Sequence, residues 1–374
     1  MIVATFVDPT SLASQFATDD NASGLTGNNE AQHFSERAMT WATYPGTLHV
    51  RRWDAGLPEA IRTGSVTDLW LDGWDQPNLE KLIPIAGQIR RLYLRFAIGD
   101  LSGLGAFTRL RYLSISDPLD TVPFEAFPEL ETLTVDVPTT LRPLEAVRAL
   151  KHLYITHGIR SVAEIPDAAE LNTLMMAEAP LESLAGLERF PRLRQLILQQ
   201  VPLARIRGIG GARCLEDVRF TLTPKLESVA ELGQLKALKS LEVPLNQTVS
   251  DVSGLGQATA LQKLRIIAGP LVGDVQWLGR LVNLVWLGLD TRGEIDSLDF
   301  LRTLQKLEKL WLSRHVKIAS RDLSPIASLP ALQKLNYGEV RGYHPAKDEL
   351  MEPVRRRAAA SGVTKRSGPD GAKK

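Results

Sequence analysis

The sequence predicts an α/β solenoid: a curved, right-handed superhelix with a parallel inner β-sheet and short outer helices or 3-10 turns. Three observations predict it. The pattern L-x-x-L-x-L, with Ile, Val, Phe, Met or Tyr allowed at its apolar positions, recurs thirteen times between Val66 and Tyr337. The copies start at Val66, Ile89, Leu110, Leu130, Leu150, Leu171, Leu193, Leu215, Leu238, Leu261, Leu284, Leu307 and Leu332, always 20 to 25 residues apart. A period of that length fixes the architecture before any local reading. Each copy is also followed by a second apolar set, as in Leu181, Leu184, Leu187 and Phe190.

Residues 1–40 carry no repeat, and Thr18 to Glu30 is small and polar, with little to bury; this segment reads as flexible. Residues 41–65 read as an N-terminal cap. Trp41, Tyr44, Leu48, Val50 and Trp53 supply apolar bulk, and Leu48 and Val50 stand 21 residues before Leu69 and Leu71, one repeat length away. Terminal repeats are expected to be atypical because they cover an open end.

Residues 66–340 are the repeats proper. The alternation within Leu193-Arg194-Gln195-Leu196-Ile197-Leu198 gives a short strand with leucines on one side and variable residues on the other. No single unit buries its leucines alone, so neighbours must stack. Asp100, Ser183, Asp251, Ser297 and Asp322 stand where they can cap the short outer turns. Residues 341–360 predict a closing helix with Leu350, Met351 and Val354 on one side, and residues 361–374 a disordered basic tail.

Segments such as Asp251-Val252-Ser253-Gly254-Leu255, leading to Leu261-Gln262-Lys263-Leu264-Arg265-Ile266, resemble the ~22-residue class of leucine-rich repeats. Bacterial internalins and the eukaryotic phosphatase-regulating repeat protein share that class. The resemblance covers residues 66–337 and implies fold rather than function. One feature departs from it. The family carries Asn at the ninth position, where its amide satisfies backbone groups in a ladder; of the thirteen units only Asn246 supplies one. Buried backbone groups still need partners, so the turn after each strand must differ in detail.

Bulk composition excludes several classes. No run of about 18 apolar residues exists to cross a membrane. The opening Met1 to Val7 lacks a basic start and is cut short by Asp8-Pro9, unlike a secretory signal. Cys214 is the sole cysteine, which rules out an intrachain disulfide and points to a reducing cytoplasm. The net charge of +1 hides a split: seven basic residues against Asp370 between Pro353 and Lys374 give +6 there, leaving −5 elsewhere.

The variable strand positions carry the functional signal. An N-terminal aromatic cluster (Trp70, Tyr93, Tyr112, Tyr154) and a C-terminal pair (Trp286, Trp311) among Lys263, Arg265, Lys309 and Arg314 fall at outward positions. The chain is only 6% aromatic, and the fold needs no bulk there. Trp, Tyr and Arg dominate binding hot spots, so these ten residues are the expected partner-binding set. The alternative is that the aromatics pack on one another across strands. Twelve gaps of ~4.8 Å and a strand width of ~13 Å give about 750 Å², close to the ~800 Å² one partner contributes to a standard interface.

Other chemistries find less support. The inner face, with Asp117, Glu178, Arg314 and Glu339 at strand ends, carries eight bases and nine acids, unlike a phosphate-tracking surface. His152 and His157 share one repeat, but no third ligand stands at a diagnostic zinc spacing. Cys214 has no evident activating base and reads as buried filler. No phosphate loop, dinucleotide fingerprint, nucleophile elbow or H-E-x-x-H helix is present. The expected function is therefore a non-enzymatic protein-protein interaction module, without cofactor, metal, nucleic acid or membrane, in a monomeric chain. Alternatives are a regulatory subunit or inhibitor (immunity-type) protein masking an enzyme or toxin, and a structural scaffold.

Overall fold

The computed structural model describes residues 39–41, 47–50, 57–63, 65–72, 79–95, 101–116, 118–244, 248–249, 252, 254–270, 275–338 and 342–360. The chain forms two compact units, Met1–Ile115 and Ser116–Lys374. The segments expected to be flexible at either end fall outside the described residues, apart from Met39 and Thr40, as does Asn246.

In the first unit, β1 (Met39–Trp41) pairs antiparallel with β2 (Thr47–Val50). From β2 onward all pairing is parallel and sequential: β3 (Asp68–Asp72), β4 (Arg91–Arg95) and β5 (Tyr112–Ser116). Leu48 aligns with Leu69, Leu69 with Leu92, and Leu92 with Leu113, so one leucine column runs through the unit. Opposite the strands lie α1 (Leu57–Thr63), a 3-10 turn at Leu79–Leu82 continuing into α2 (Ile83–Ala86), and a 3-10 turn at Leu104–Ala106.

The second unit repeats the plan. Its strands are β6 (Thr132–Asp136), β7 (His152–Thr156), β8 (Thr173–Ala177), β9 (Gln195–Gln199), β10 (Asp217–Thr221) and β11 (Ser240–Pro244). They continue as β12 (Lys263–Pro270), β13 (Trp286–Ile295), β14 (Lys309–Leu312), β15 (Val316–Ile318) and β16 (Lys334–Tyr337). Neighbours pair in chain order, except that β14 pairs β16 and the short β15 runs beside the far half of β13. Apart from β15, each of these strands begins at the third position of its L-x-x-L-x-L unit, so alternation throws the apolar positions inward. Leu193, Leu196 and Leu198 have 0% of their surface accessible, and Leu181, Leu184 and Leu187 of the opposite leg are equally sealed. Each such leucine contributes roughly 1.5–3 kcal/mol on burial.

Short 3-10 turns form the opposite leg, and several of them are approached through a small polar side chain that accepts from the backbone. Ser183 Oγ accepts from the Ala185 N–H at 3.0 Å, Asp322 Oδ1 from Ser324 at 2.8 Å and Ser297 Oγ from Asp299 at 3.3 Å. Ser161 and Glu164 make a reciprocal capping box around Val162–Glu164. Asp100 and Asp251 lie outside the described residues. α3 (Ser324–Ala327) occupies this leg in the last repeat. The helix α4 (Lys347–Ala360) buries Leu350 and Val354, and Arg357 Nε donates to the Leu332 carbonyl at 3.0 Å.

Backbone geometry explains how the chain manages without an Asn ladder. The eighth residue of five consecutive repeats, Val137, His157, Glu178, Gln200 and Leu222, has φ between 50° and 61°. This left-handed residue turns its N–H toward the next strand. Val137 donates to the Thr156 carbonyl at 2.8 Å, His157 to Ala177, Glu178 to Gln199 and Gln200 to Thr221, each at 2.9 Å. The parallel ladder is extended by one rung, so the ninth position is released to pack. Ala179 and Val201 are fully buried there, and Thr223 is buried with its hydroxyl unbonded.

Candidate binding surfaces

Odd-numbered strand positions face away from the leucine core and form the surfaces available to a partner. In the first unit the strand register sets Trp70 beside Tyr93 and Arg91 beside Tyr112. The Trp70 and Tyr93 rings stack with centroids 3.8 Å apart and planes 17° from parallel; Tyr112 follows at 4.6 Å. The Arg91 guanidinium lies 5.1 Å from the Tyr112 ring centroid and 5.7 Å from that of Tyr93, and donates to the Tyr93 hydroxyl at 2.6 Å. Its Nε stands 3.7 Å from Asp68. Burial pushes the Asp68 carboxyl up, against the opposing pull of Arg91 and Thr67. Tyr93 and Tyr112 are each only 5% exposed. They were expected as projecting anchors, but cross-strand stacking covers them, and Trp70 alone of the three keeps appreciable surface.

In the second unit Tyr154 is half-buried, aligned with Thr134 and Met175. Further along, charges are paired within the face. Gln195 Nε2 donates to Asp217 at 3.0 Å, and Arg219 grips the same carboxylate at 2.7 and 3.2 Å. Arg265 is held between Glu242 at 3.6 Å and Asp290 at 2.9 Å, so this predicted site residue is already engaged.

The last four inner strands differ. Their third positions read Lys263, Trp286, Lys309, Lys334 in register, and their fifth positions Arg265, Gly288, Trp311, Asn336. A Cβ on Gly288 would lie 2.5 Å from the Trp286 ring, so the edge of the indole occupies the space that a side chain at that position would fill. Lys263 Nζ is 5.3 Å from the same ring centroid. Trp311 is 47% exposed. Lys263, Lys334 and Arg314 are exposed and Lys309 is half-buried. The structure thus gathers Trp286, Trp311, Lys263, Arg265 and Lys309 into one patch and adds Lys334. Lys334 occupies the same third position of its unit as Lys263 and Lys309, but is not among the expected site residues.

Cys214 corrects an expectation: it is exposed, not buried filler. It precedes the first leucine of its repeat and lies in the turn outside the core. With Lys151, His152, Glu170, Arg192 and Arg194 it lines a groove of about 610 Å³. Arg192 pairs with Glu170, Arg194 with Glu216 at 2.6 Å, and Lys151 with Glu131 at 2.8 Å. Hydrogen bonding from Lys239, together with Arg194, holds the Glu216 carboxyl below its usual range. Burial, aided by Lys151 and opposed by Glu131, lowers the His152 imidazole. His157 sits after β7 between two carboxylates, Nδ1 at 3.1 Å from Asp136 and Nε2 at 3.4 Å from Glu178. Among the described residues no three His, Cys, Asp or Glu side chains are grouped to hold a metal ion, and no helix is long and apolar enough to cross a membrane.

Parallel strands stacked in chain order, leucines filling the space behind them and 3-10 turns on the opposite leg define a repeat protein that presents its strand faces. The fold is that of the leucine-rich-repeat proteins. An internalin of Listeria monocytogenes str. 4b F2365 matches with a TM-score of 0.59 at 18% identity, over 81% of this chain and 93% of that one. The TLR13 chain in a crystal structure with ssRNA13 matches with a TM-score of 0.50 at 16% identity, over 80% of this chain and 51% of that one. No family model matches the chain, and no curated protein does.

Proposed function

We propose that the chain is a protein-protein interaction module that docks a partner on the strand face at β12, β13, β14 and β16. The observation that carries this reading is Trp311: among the described residues it is the one aromatic side chain left largely exposed, at 47%, with Lys309 on its own strand and Lys334 on the next. Burying such a ring against a partner gains binding free energy that the isolated fold forgoes, and tryptophan is a frequent hot-spot residue. Trp286, whose ring reaches over Gly288, supplies a second aromatic surface beside it. Steric presentation on a stiff sheet is the mechanism: the partner meets ordered side chains and little entropy is lost on docking. The single exposed Cys214 favours a reducing, cytoplasmic setting.

The test compares what the wild-type chain and the Trp286→Ala/Trp311→Ala double variant retain from an extract of the source cells. A protein held by the wild type should be lost from the variant, an affinity change of several kcal/mol, while the melting temperature stays close to wild type. Retention of the same proteins by both chains would refute the assignment of these anchors.

A further inference from the structure

Charged side chains on the described inner faces are paired almost throughout. Asp68 faces Arg91, Asp217 faces Arg219, and Glu242 and Asp290 flank Arg265. Lys309 and Lys334 break that rule. They are direct cross-strand neighbours in β14 and β16, and neither has a carboxylate partner among the described residues. Like charges placed directly opposite on adjacent strands destabilise a sheet. Lys263, two strands away in the same column, stands between Ser240 and Trp286, its Nζ 5.3 Å from the Trp286 ring centroid and with no carboxylate partner among the described residues. Three lysines therefore stand in one column beside Trp286 and Trp311, two of them directly opposite each other, at a cost to the sheet that no paired carboxylate among the described residues offsets.

We propose that this array receives an acidic protein segment bearing an apolar anchor. This rests on the protein-binding reading of the same patch and names the chemistry of the partner. Carboxylates of the segment neutralise Lys263, Lys309 and Lys334, relieving the cross-strand repulsion on binding, while the apolar side chain covers Trp311. Three inter-strand gaps of ~4.8 Å span roughly 14 Å, a length that four or five extended residues cross. A peptide also suits the mixed charge of the patch better than a nucleic acid does. Glu242 and Asp290 lie beside the lysines, held by Arg265. A peptide can place neutral residues opposite them, whereas a phosphate backbone repeats its charge at every nucleotide.

The test measures fluorescence anisotropy of three labelled probes with the full chain: a twelve-residue peptide of glutamates with a central tyrosine-leucine pair, its glutamine counterpart, and a twelve-residue oligouridylate. The acidic peptide should bind at least ten-fold more tightly than the glutamine peptide, with affinity falling as salt rises. The Lys309→Gln/Lys334→Gln variant should lose at least ten-fold of that affinity while its melting temperature holds or rises, since the like charges facing each other across β14 and β16 are removed. A loss of both affinity and melting temperature in that variant would be resolved by Lys334→Gln, which removes one charge with little change of shape and should still weaken binding. Equal binding of the acidic and glutamine peptides, undiminished binding by the lysine variants, or preferential binding of the oligouridylate would overturn the proposal. If both peptides bind equally and Trp311→Ala weakens both, the acidic preference falls while the protein-binding reading stands.

Discussion

Val137 is a β-branched residue at φ 50°, a region where Cβ crowds the following carbonyl. Its side chain is 52% exposed, so little packing compensates. Val137→Gly should therefore stabilise the chain by about 1 kcal/mol, read as a shift in the denaturant midpoint at constant slope. His152 gives a pH dependence at the same scale. Its folded imidazole titrates below the ordinary value of 6.5, chiefly because burial disfavours the charged form. Between the folded and unfolded values the unfolded chain holds more protons, so stability rises with pH across that window and falls as pH drops through it. Melting curves at pH 7.5 and 5.5 should differ in that sense, and His152→Gln should shrink the difference. The anchors belong here too. Whether a ring stacks on a neighbour or projects depends on which side chain stands beside it in register. Tyr93 has Trp70 on one side and Arg91 reaching over it, whereas Trp311 has Gly288 and Asn336. The strand register behind that contrast follows from the spacing of the thirteen units; the lengths and torsions that close Arg265 onto Glu242 and Asp290 do not.

A repeat is only as stable as its contacts with the coils on either side. Leu196 sits mid-strand in β9, fully buried and aligned with Leu174 and Val218. Leu196→Ala should cost about 2–5 kcal/mol, the range for a buried leucine that leaves a cavity. Gly254 shows the same constraint on the opposite leg: a Cβ there would lie 1.6 Å from the Ala230 carbonyl oxygen of the preceding coil. Gly254→Ala should force those coils apart and lower the melting temperature by more than Leu196→Ala does. The strands were legible because their period of two and their thirteen-fold recurrence reinforce each other. The turns after them were less so. A run of Val137, His157, Glu178, Gln200 and Leu222 shares no side-chain chemistry, and what unites them is a backbone torsion and an N–H direction. Cys214 was misplaced for a similar reason: hydrophobic residue type suggested burial, while its position just before the first leucine put it outside the core.

Across each unit, every strand bonds only to its immediate neighbours, so stability is a sum of local terms and not a property of one shared core. Within the second unit a defect should remain local. Hydrogen exchange on Leu196→Ala should rise in β8, β9 and β10, while Leu350 and Val354 of α4 keep their protection; uniform loss through the unit would show a single cooperative block instead. The row of left-handed residues has a further effect on how such a chain can grow. Because their N–H groups stitch one coil to the next just past the strands, an insertion there would unzip a seam of hydrogen bonds running along that rim. Extra residues are better accommodated beyond the 3-10 turns. Ornament and length variation are thereby steered to one margin of the repeat, leaving the other smooth.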